Sequence, residues 1–191
     1  MIRLAVIGLG AVTKNIHLPA YRRLKDRVTL VAGCDVESST RASMEKTGLF
    51  QVVYSSPEEM FERAKPDIVS ICTPPFLHHR QCLDALERGC HVFCEKPLAE
   101  SLAHADEIIL ASSRCKRLVV VNSQFPNMNM YRAAKEQIGS PEFGRLLFLH
   151  ASQTFRPTVE TEAGWRVNMK RRLCFEFGVH VSPAAPRRGS A

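Results

Sequence analysis

Along most of this chain, short apolar runs alternate with longer stretches whose apolar residues recur at helical spacing. The runs fall at residues 4–7, 28–34 (V-T-L-V-A-G-C), 51–54, 68–72 (I-V-S-I-C), 91–94 and 118–121 (L-V-V-V). They are short and bounded by glycine, proline or polar residues, and so predict buried strands. Between them lie helix signals. One helix is expected over residues 13–24. Ser38 or Ser39 is placed to cap a second, which Gly48 stops after about residue 47. Ser56-Pro57-Glu58-Glu59 reads as cap, proline at the first helical position and acidic first turn of a third, ending near Ala64. Two more are expected over residues 77–88, closed by Gly89, and 101–114. Strand and helix alternate throughout. That order predicts an α/β fold, a doubly wound parallel sheet with helices on both faces.

Ligands of such sheets bind beyond the carboxyl ends of the strands. The first strand is followed by Gly8-Leu9-Gly10, a tight turn into a helix that starts at about Ala11. Gly8 permits the sharp turn, and Gly10, without a Cβ, lets a phosphate approach the backbone. The N–H groups of Ala11 and Val12 and the positive end of the helix dipole then face an anion. Thr13 stands where G-x-G-x-x-G has its third glycine, so the fingerprint is incomplete, and two glycines can also simply end a buried strand. The second strand supplies the missing context. It ends in Asp35, at about the ~20-residue distance expected of a carboxylate that accepts the ribose hydroxyls of an adenosine. A carboxylate there favours NAD over NADP, while Arg41 nearby is what a 2′-phosphate would want and leaves NADP open.

Composition narrows the class further. The chain has 191 residues, 45% hydrophobic and 24% charged, the balance of a folded soluble domain. Its longest apolar runs fall short of the ~18 residues of a membrane span, and no small-residue cleavage pattern follows the N-terminal strand. A cytoplasmic protein is therefore expected, and the seven cysteines sit mostly inside apolar runs, as reduced buried thiols do. Cys90, His91 and Cys94 share one strand, where neighbours point to opposite faces, so no metal site is expected. The net charge is +7, but Arg166, Lys170, Arg171, Arg172, Arg187 and Arg188 against Glu176 place +5 of it at the end of the chain. Nucleic-acid and membrane partners are therefore not expected.

Two further strand ends share the edge with the glycine turn: Thr73-Pro74-Pro75 and Glu95-Lys96-Pro97. Taken in order, G8-L-G-A-V-T with H17-L-P-A, D67-I-V-S-I-C-T-P-P with Leu77-His78, A85-L-x-x-G89-x-H-V and E95-K-P-L-A resemble the glucose–fructose oxidoreductase / inositol dehydrogenase (Gfo/Idh/MocA) family. The resemblance runs from Met1 to about His150, with traces to His180. It implies a Rossmann domain (residues 1–123) and then an α/β substrate domain, here only begun (residues 124–181), with a linking helix over 127–138 and a first strand over 146–150. Residues 182–191, rich in Pro, Arg, Ser and Ala, are expected to be a disordered tail.

The resemblance also implies roles. The turn at Gly8, Gly10, Ala11 and Val12 would hold the pyrophosphate and Asp35 the adenine ribose. Thr73, Pro74 and His78 would line the nicotinamide side, with Glu95 and Lys96 by its ribose and the substrate, and the bond before Pro97 would be cis. Lys96 would donate to the hydroxyl of a sugar or cyclic polyol and stabilise the developing alkoxide. Glu176 and His180 have the spacing of the family's Asp and His, making His180 the general base and Glu176 its orienting partner. The function expected is hydride transfer between NAD, or NADP, and a sugar or polyol, with homo-oligomers through the second-domain sheet. The alternative is a dinucleotide-binding fragment without turnover. A Rossmann-like methyltransferase would use the glycine turn and Asp35 but has no use for Lys96-Pro97.

Overall fold

The computed structural model describes residues 1–148 together with His150, Ser152 and Trp165. It divides into two compact units, Met1–Asn122 and Ser123–Ala191. The first is built on six strands, β1 (Ile2–Ile7), β2 (Val28–Cys34), β3 (Val52–Tyr54), β4 (Ile68–Ile71), β5 (His91–Cys94) and β6 (Val119–Val121). All neighbours pair in parallel, in the order β3-β2-β1-β4-β5-β6. This is the doubly wound order of a Rossmann sheet, and the chain reverses direction between β1 and β4.

The helices are α1 (Leu18–Arg23), α2 (Ser38–Glu45), α3 (Pro57–Ala64), α4 (Pro75–Glu87) and α5 (Leu102–Cys115). Strand alternation divides the core between the two faces of the sheet. Ala5 and Ile7 of β1 join Met60 and Phe61 of α3, Cys82 and Leu86 of α4 and Ile108 of α5. Val6, one residue out of phase, packs with Leu9, Leu18, Met44 and Phe50 on the other side. Met60, Leu86 and Ile108 are fully buried, so each removes a whole apolar side chain from water, about 1.5–3 kcal/mol apiece.

Several helix ends obey the sequence signals. Ser56 and Ser101 accept from the backbone N–H groups of Glu59 and His104, and Gly48 and Gly89 adopt positive φ beyond their helices. The cap of α2 differs from expectation. Glu37, rather than Ser38 or Ser39, stands at the N-cap, with its carboxylate accepting from Ser39 N–H. A carboxylate one position earlier serves the same N–H groups and suits the positive helix end.

Ahead of α1, the helix opened at Ala11 widens into a π turn over Thr13–His17. Pro19 has no N–H for the carbonyl four residues back, and Leu18 N–H reaches instead to the Thr13 carbonyl, five residues away. The second unit begins with a 3₁₀ turn, Phe125–Asn127, then α6 (Asn129–Ile138) and a 3₁₀ turn, Pro141–Phe143. The linking helix thus starts two residues later than expected. Residues 146–148 and His150, expected in a strand, have no regular structure. A strand needs a ladder partner, and the described residues of the second unit hold no other strand.

Candidate functional site

The glycine turn follows from close backbone packing at the sheet's switch point. Gly8 has φ of 87°, and a Cβ there would lie 2.8 Å from the carbonyl carbon and oxygen of Cys72 and 2.9 Å from the nitrogen of Thr73. Only glycine fits. Its N–H donates to the Cys34 carbonyl at 2.8 Å, while Cys72 N–H donates to the Ile7 carbonyl at 2.8 Å, so the ends of β1, β2 and β4 are tied at one level. Gly10 is different, because a Cβ there would meet nothing within 4 Å. The first helical bond runs from Lys14 N–H to the Gly10 carbonyl, so the N–H groups of Gly10, Ala11 and Val12 have no carbonyl of their own helix to meet. Open space over a helix N-terminus is what a pyrophosphate needs. Thr13, at the incomplete third position of the fingerprint, is fully buried and donates its hydroxyl to the Gly8 carbonyl at 2.6 Å. The side chain that stands in the third glycine's place thereby braces the turn.

Asp35 stands just beyond β2. Its Oδ2 accepts from Leu9 N–H at 2.7 Å and its Oδ1 from Glu37 N–H at 2.9 Å, which fixes the carboxylate beside the glycine turn. Each oxygen keeps a lone pair for a ribose hydroxyl. Arg41 places Nη1 on the carbonyls of Asp35 and Val36, both at 2.9 Å, so its guanidinium is anchored behind the carboxylate. Glycine turn, helix N-terminus and carboxylate together fit an adenine dinucleotide.

The ends of β4 and β5 carry the remaining expected residues. Thr73 donates its hydroxyl to Gln81 Oε1 at 2.6 Å, and Pro74 leads into α4. The bond between Lys96 and Pro97 is cis, as the family resemblance implies. His78 has another use than the one expected of it. It is 1% exposed, with Nε2 at 2.8 Å from the Thr73 carbonyl and Nδ1 at 2.7 Å from the Pro97 carbonyl. The buried ring joins the loops that follow β4 and β5. Burial pushes its pKa below the usual histidine value against the pull of the two carbonyls.

Glu95 is likewise buried, at 8% exposure. Its Oε1 is 2.7 Å from His17 Nε2 and accepts from Asn122 Nδ2 at 2.7 Å, while Oε2 accepts from Lys96 N–H at 3.2 Å. His17, 4% exposed, has its Nδ1 3.2 Å from Tyr21 Oη, and Tyr21 donates to Ser70 Oγ at 2.8 Å. Burial opposes a charge on His17, but the Cys72 sulfur and the Glu95 carboxylate outweigh it and raise the pKa to about 9. Burial alone would raise the pKa of Glu95. Hydrogen bonds from His17 and Asn122, and the charge on His17, bring it below the usual value. The two therefore form a buried imidazolium–carboxylate pair.

The structure thus gathers Gly8, Gly10, Ala11, Val12, Asp35, Thr73, Pro74, His78, Glu95 and Lys96 at the carboxyl ends of β1, β2, β4 and β5. Glu176 and His180, the other expected catalytic residues, lie outside the described residues, as does the tail from Ser182. Sequence reasoning gives no site role to His17, Tyr21 or Asn122. The signals are present: Thr13, His17 and Tyr21 recur every four residues on a helix, and Asn122 directly follows a strand, as Asp35 does.

Residues 2–123 match the model of the Gfo/Idh/MocA oxidoreductases, described as an oxidoreductase family with an NAD-binding Rossmann fold. The chain belongs to this family. It is 31% identical to D-glucoside 3-dehydrogenase of Escherichia coli K12 over 96% of its own length and 53% of that protein's. Inositol 2-dehydrogenase of Burkholderia lata is 33% identical over 79% of this chain and 45% of the relative. Among solved structures, the WlbA dehydrogenase of Chromobacterium violaceum in complex with NADH and UDP-GlcNAcA superimposes with a TM-score of 0.69 at 31% identity, covering 75% of this chain and 41% of that one. The chain spans about half the length of the curated relatives it matches.

Proposed function

We propose that this protein is an NAD-dependent oxidoreductase transferring a hydride between the cofactor and a hydroxyl or carbonyl carbon of a sugar or cyclic polyol. The observation that carries this reading is the convergence at one sheet edge of the glycine turn, Asp35 and the Glu95-Lys96-Pro97 loop. The substrates in the names of the relatives, a glucoside and inositols, supply the substrate class.

In this reading the N–H groups of Gly10, Ala11 and Val12 bind the pyrophosphate and Asp35 takes the adenine ribose hydroxyls, with Thr73 and Pro74 along the nicotinamide side. The bound nicotinamide supplies the hydride acceptor. Lys96 donates to the substrate oxygen and stabilises the negative charge that develops as its proton leaves. His180 takes that proton, and Glu176 orients the imidazole. Asp35 repels a 2′-phosphate, so NAD is preferred to NADP. Buried free thiols suit a reducing compartment, and the protein works in the cytoplasm. Burial pushes two of them, Cys34 and Cys90, up to about 12 and about 11, which keeps them as unreactive thiols.

The test is to mix the purified chain with NAD and a panel of glucosides and inositols and follow nicotinamide reduction by absorbance. Turnover with at least one polyol, abolished in Lys96→Ala, supports the reading. Turnover that survives Lys96→Ala removes Lys96 from its role. NADH binding without turnover of any polyol would favour a binding module instead.

A further inference from the structure

We propose that His17 is a positioning residue. It fastens the Glu95 carboxylate to the helix that follows the glycine turn, so that the pyrophosphate side and the nicotinamide side of the site are held as one rigid unit. This rests on the dinucleotide reading above and names a residue for it.

The geometry is a continuous buried chain across three elements. The π turn carries His17 inward, and its Nε2 lies 2.7 Å from Glu95 Oε1, 78 residues along the sequence. The same oxygen takes Asn122 Nδ2 from the end of β6, and the other oxygen takes the backbone N–H of Lys96. Lys96 is therefore placed by a backbone bond to a carboxylate that is itself placed by His17 and Asn122. On its far side His17 meets Tyr21, which is bonded to Ser70 of β4. The Phe93 ring of β5 packs edge-on against the imidazole, with ring centroids 5.8 Å apart. The titratable groups facing His17 are Tyr21 from α1, Cys72 from the end of β4 and Glu95 from the end of β5.

Chemistry selects the imidazolium for this place. A buried carboxylate with no cation beside it is costly and tends to take up a proton. A protonated Glu95 could keep at most part of its three accepted bonds, and the Lys96 turn would lose its fixed point. A neutral side chain at position 17 can donate one hydrogen bond but cannot supply the charge.

Two readouts on the full chain test this. In nitrogen-detected NMR of the imidazoles, His17 should stay doubly protonated until about pH 9 and become neutral at a lower pH in Glu95→Gln. A His17 that titrates near 6.5 in the wild type overturns the pairing. Binding is then compared for NADH and for ADP, which reaches only the glycine-turn side. His17→Gln should weaken NADH by about tenfold or more while changing ADP less than about twofold. Asn122→Ala, which keeps His17, should shift the same ratio in the same direction by less, and it serves if His17→Gln does not fold. Equal losses for both nucleotides, or none for either, overturn the positioning role. If the wild type binds neither nucleotide, the dinucleotide reading falls and the positioning role falls with it, while the NMR titration still decides the ion pair.

Discussion

The Cβ that Gly8 lacks would fall 2.8 Å from the carbonyl carbon of Cys72, whereas the one that Gly10 lacks would fall in open space. The two glycines therefore answer to different demands. Gly8 serves the fold, and in the proposed reading Gly10 serves a ligand. Gly8→Ala adds left-handed strain, ~1–2 kcal/mol, to a backbone collision, and thermal melting should drop by roughly 5 °C or more. Gly10→Ala should melt within about 2 °C of wild type and yet lose NADH affinity by about tenfold, measured by fluorescence titration. Equal melting losses in both variants would contradict this division.

Asp35 accepts from Leu9 and Glu37 N–H groups, and in the proposed reading it also accepts the ribose hydroxyls. Asp35→Asn keeps its size and removes its charge. Titration of NADH and NADPH should show the preference for NADH shrinking, chiefly through tighter NADPH binding as the repulsion of the 2′-phosphate goes. An unchanged ratio would take Asp35 away from the ribose.

The His17–Glu95 pair ties stability to pH. The pKa of His17 rises from 6.5 to about 9 on folding, so its contribution is complete below pH 6.5 and lost as pH rises through 9. Glu95 is depressed, so its contribution is present above its usual value and lost as pH falls through the folded one. The pair stabilises most between about pH 4.5 and 6.5. Urea denaturation at pH 6 and pH 9.5 should show the wild type losing on the order of 3 kcal/mol more than His17→Gln loses. Cys34 and Cys90, also raised on folding, contribute equally to both proteins and cancel. Parallel losses in the two proteins would show that His17 is not charged in the fold.

His78 joins the Thr73 and Pro97 carbonyls. His78→Leu keeps the volume roughly and removes the single N–H that the neutral ring donates to one of these carbonyls, at about 1–3 kcal/mol for that buried acceptor. Melting should fall by at least about 3 °C, with NADH binding weakened more than ADP binding. A variant as stable as wild type would mean that water or backbone takes over that carbonyl.

Much of the fold is legible in the order of residues. Apolar runs mark β2 at Val28–Cys34 and β5 at His91–Cys94 to the residue, because buried parallel strands are uninterrupted apolar segments. Ser56 and Ser101 announce their helices through a cap that is a local hydrogen bond. What escapes is non-local. No spacing rule connects His17 with Glu95 or Asn122; they meet only because β5 and β6 lie side by side with α1 near their ends. The π turn escapes because its cause, Pro19, also reads as an ordinary first-turn proline. The motifs of His78 and Glu95 do not announce that both side chains are buried, because burial is set by packing between distant elements.

The most direct measurement is a thermal melt of the purified chain alone, with saturating NADH, and with saturating NADPH. At ~100 times its dissociation constant a ligand adds about 2.7 kcal/mol to the native state, an upward shift of roughly 5–10 °C for a chain of this size. A cooperative melt raised by NADH and less by NADPH is the expected result. A melt indifferent to both nucleotides would contradict a dinucleotide site at the Gly8-Leu9-Gly10 turn.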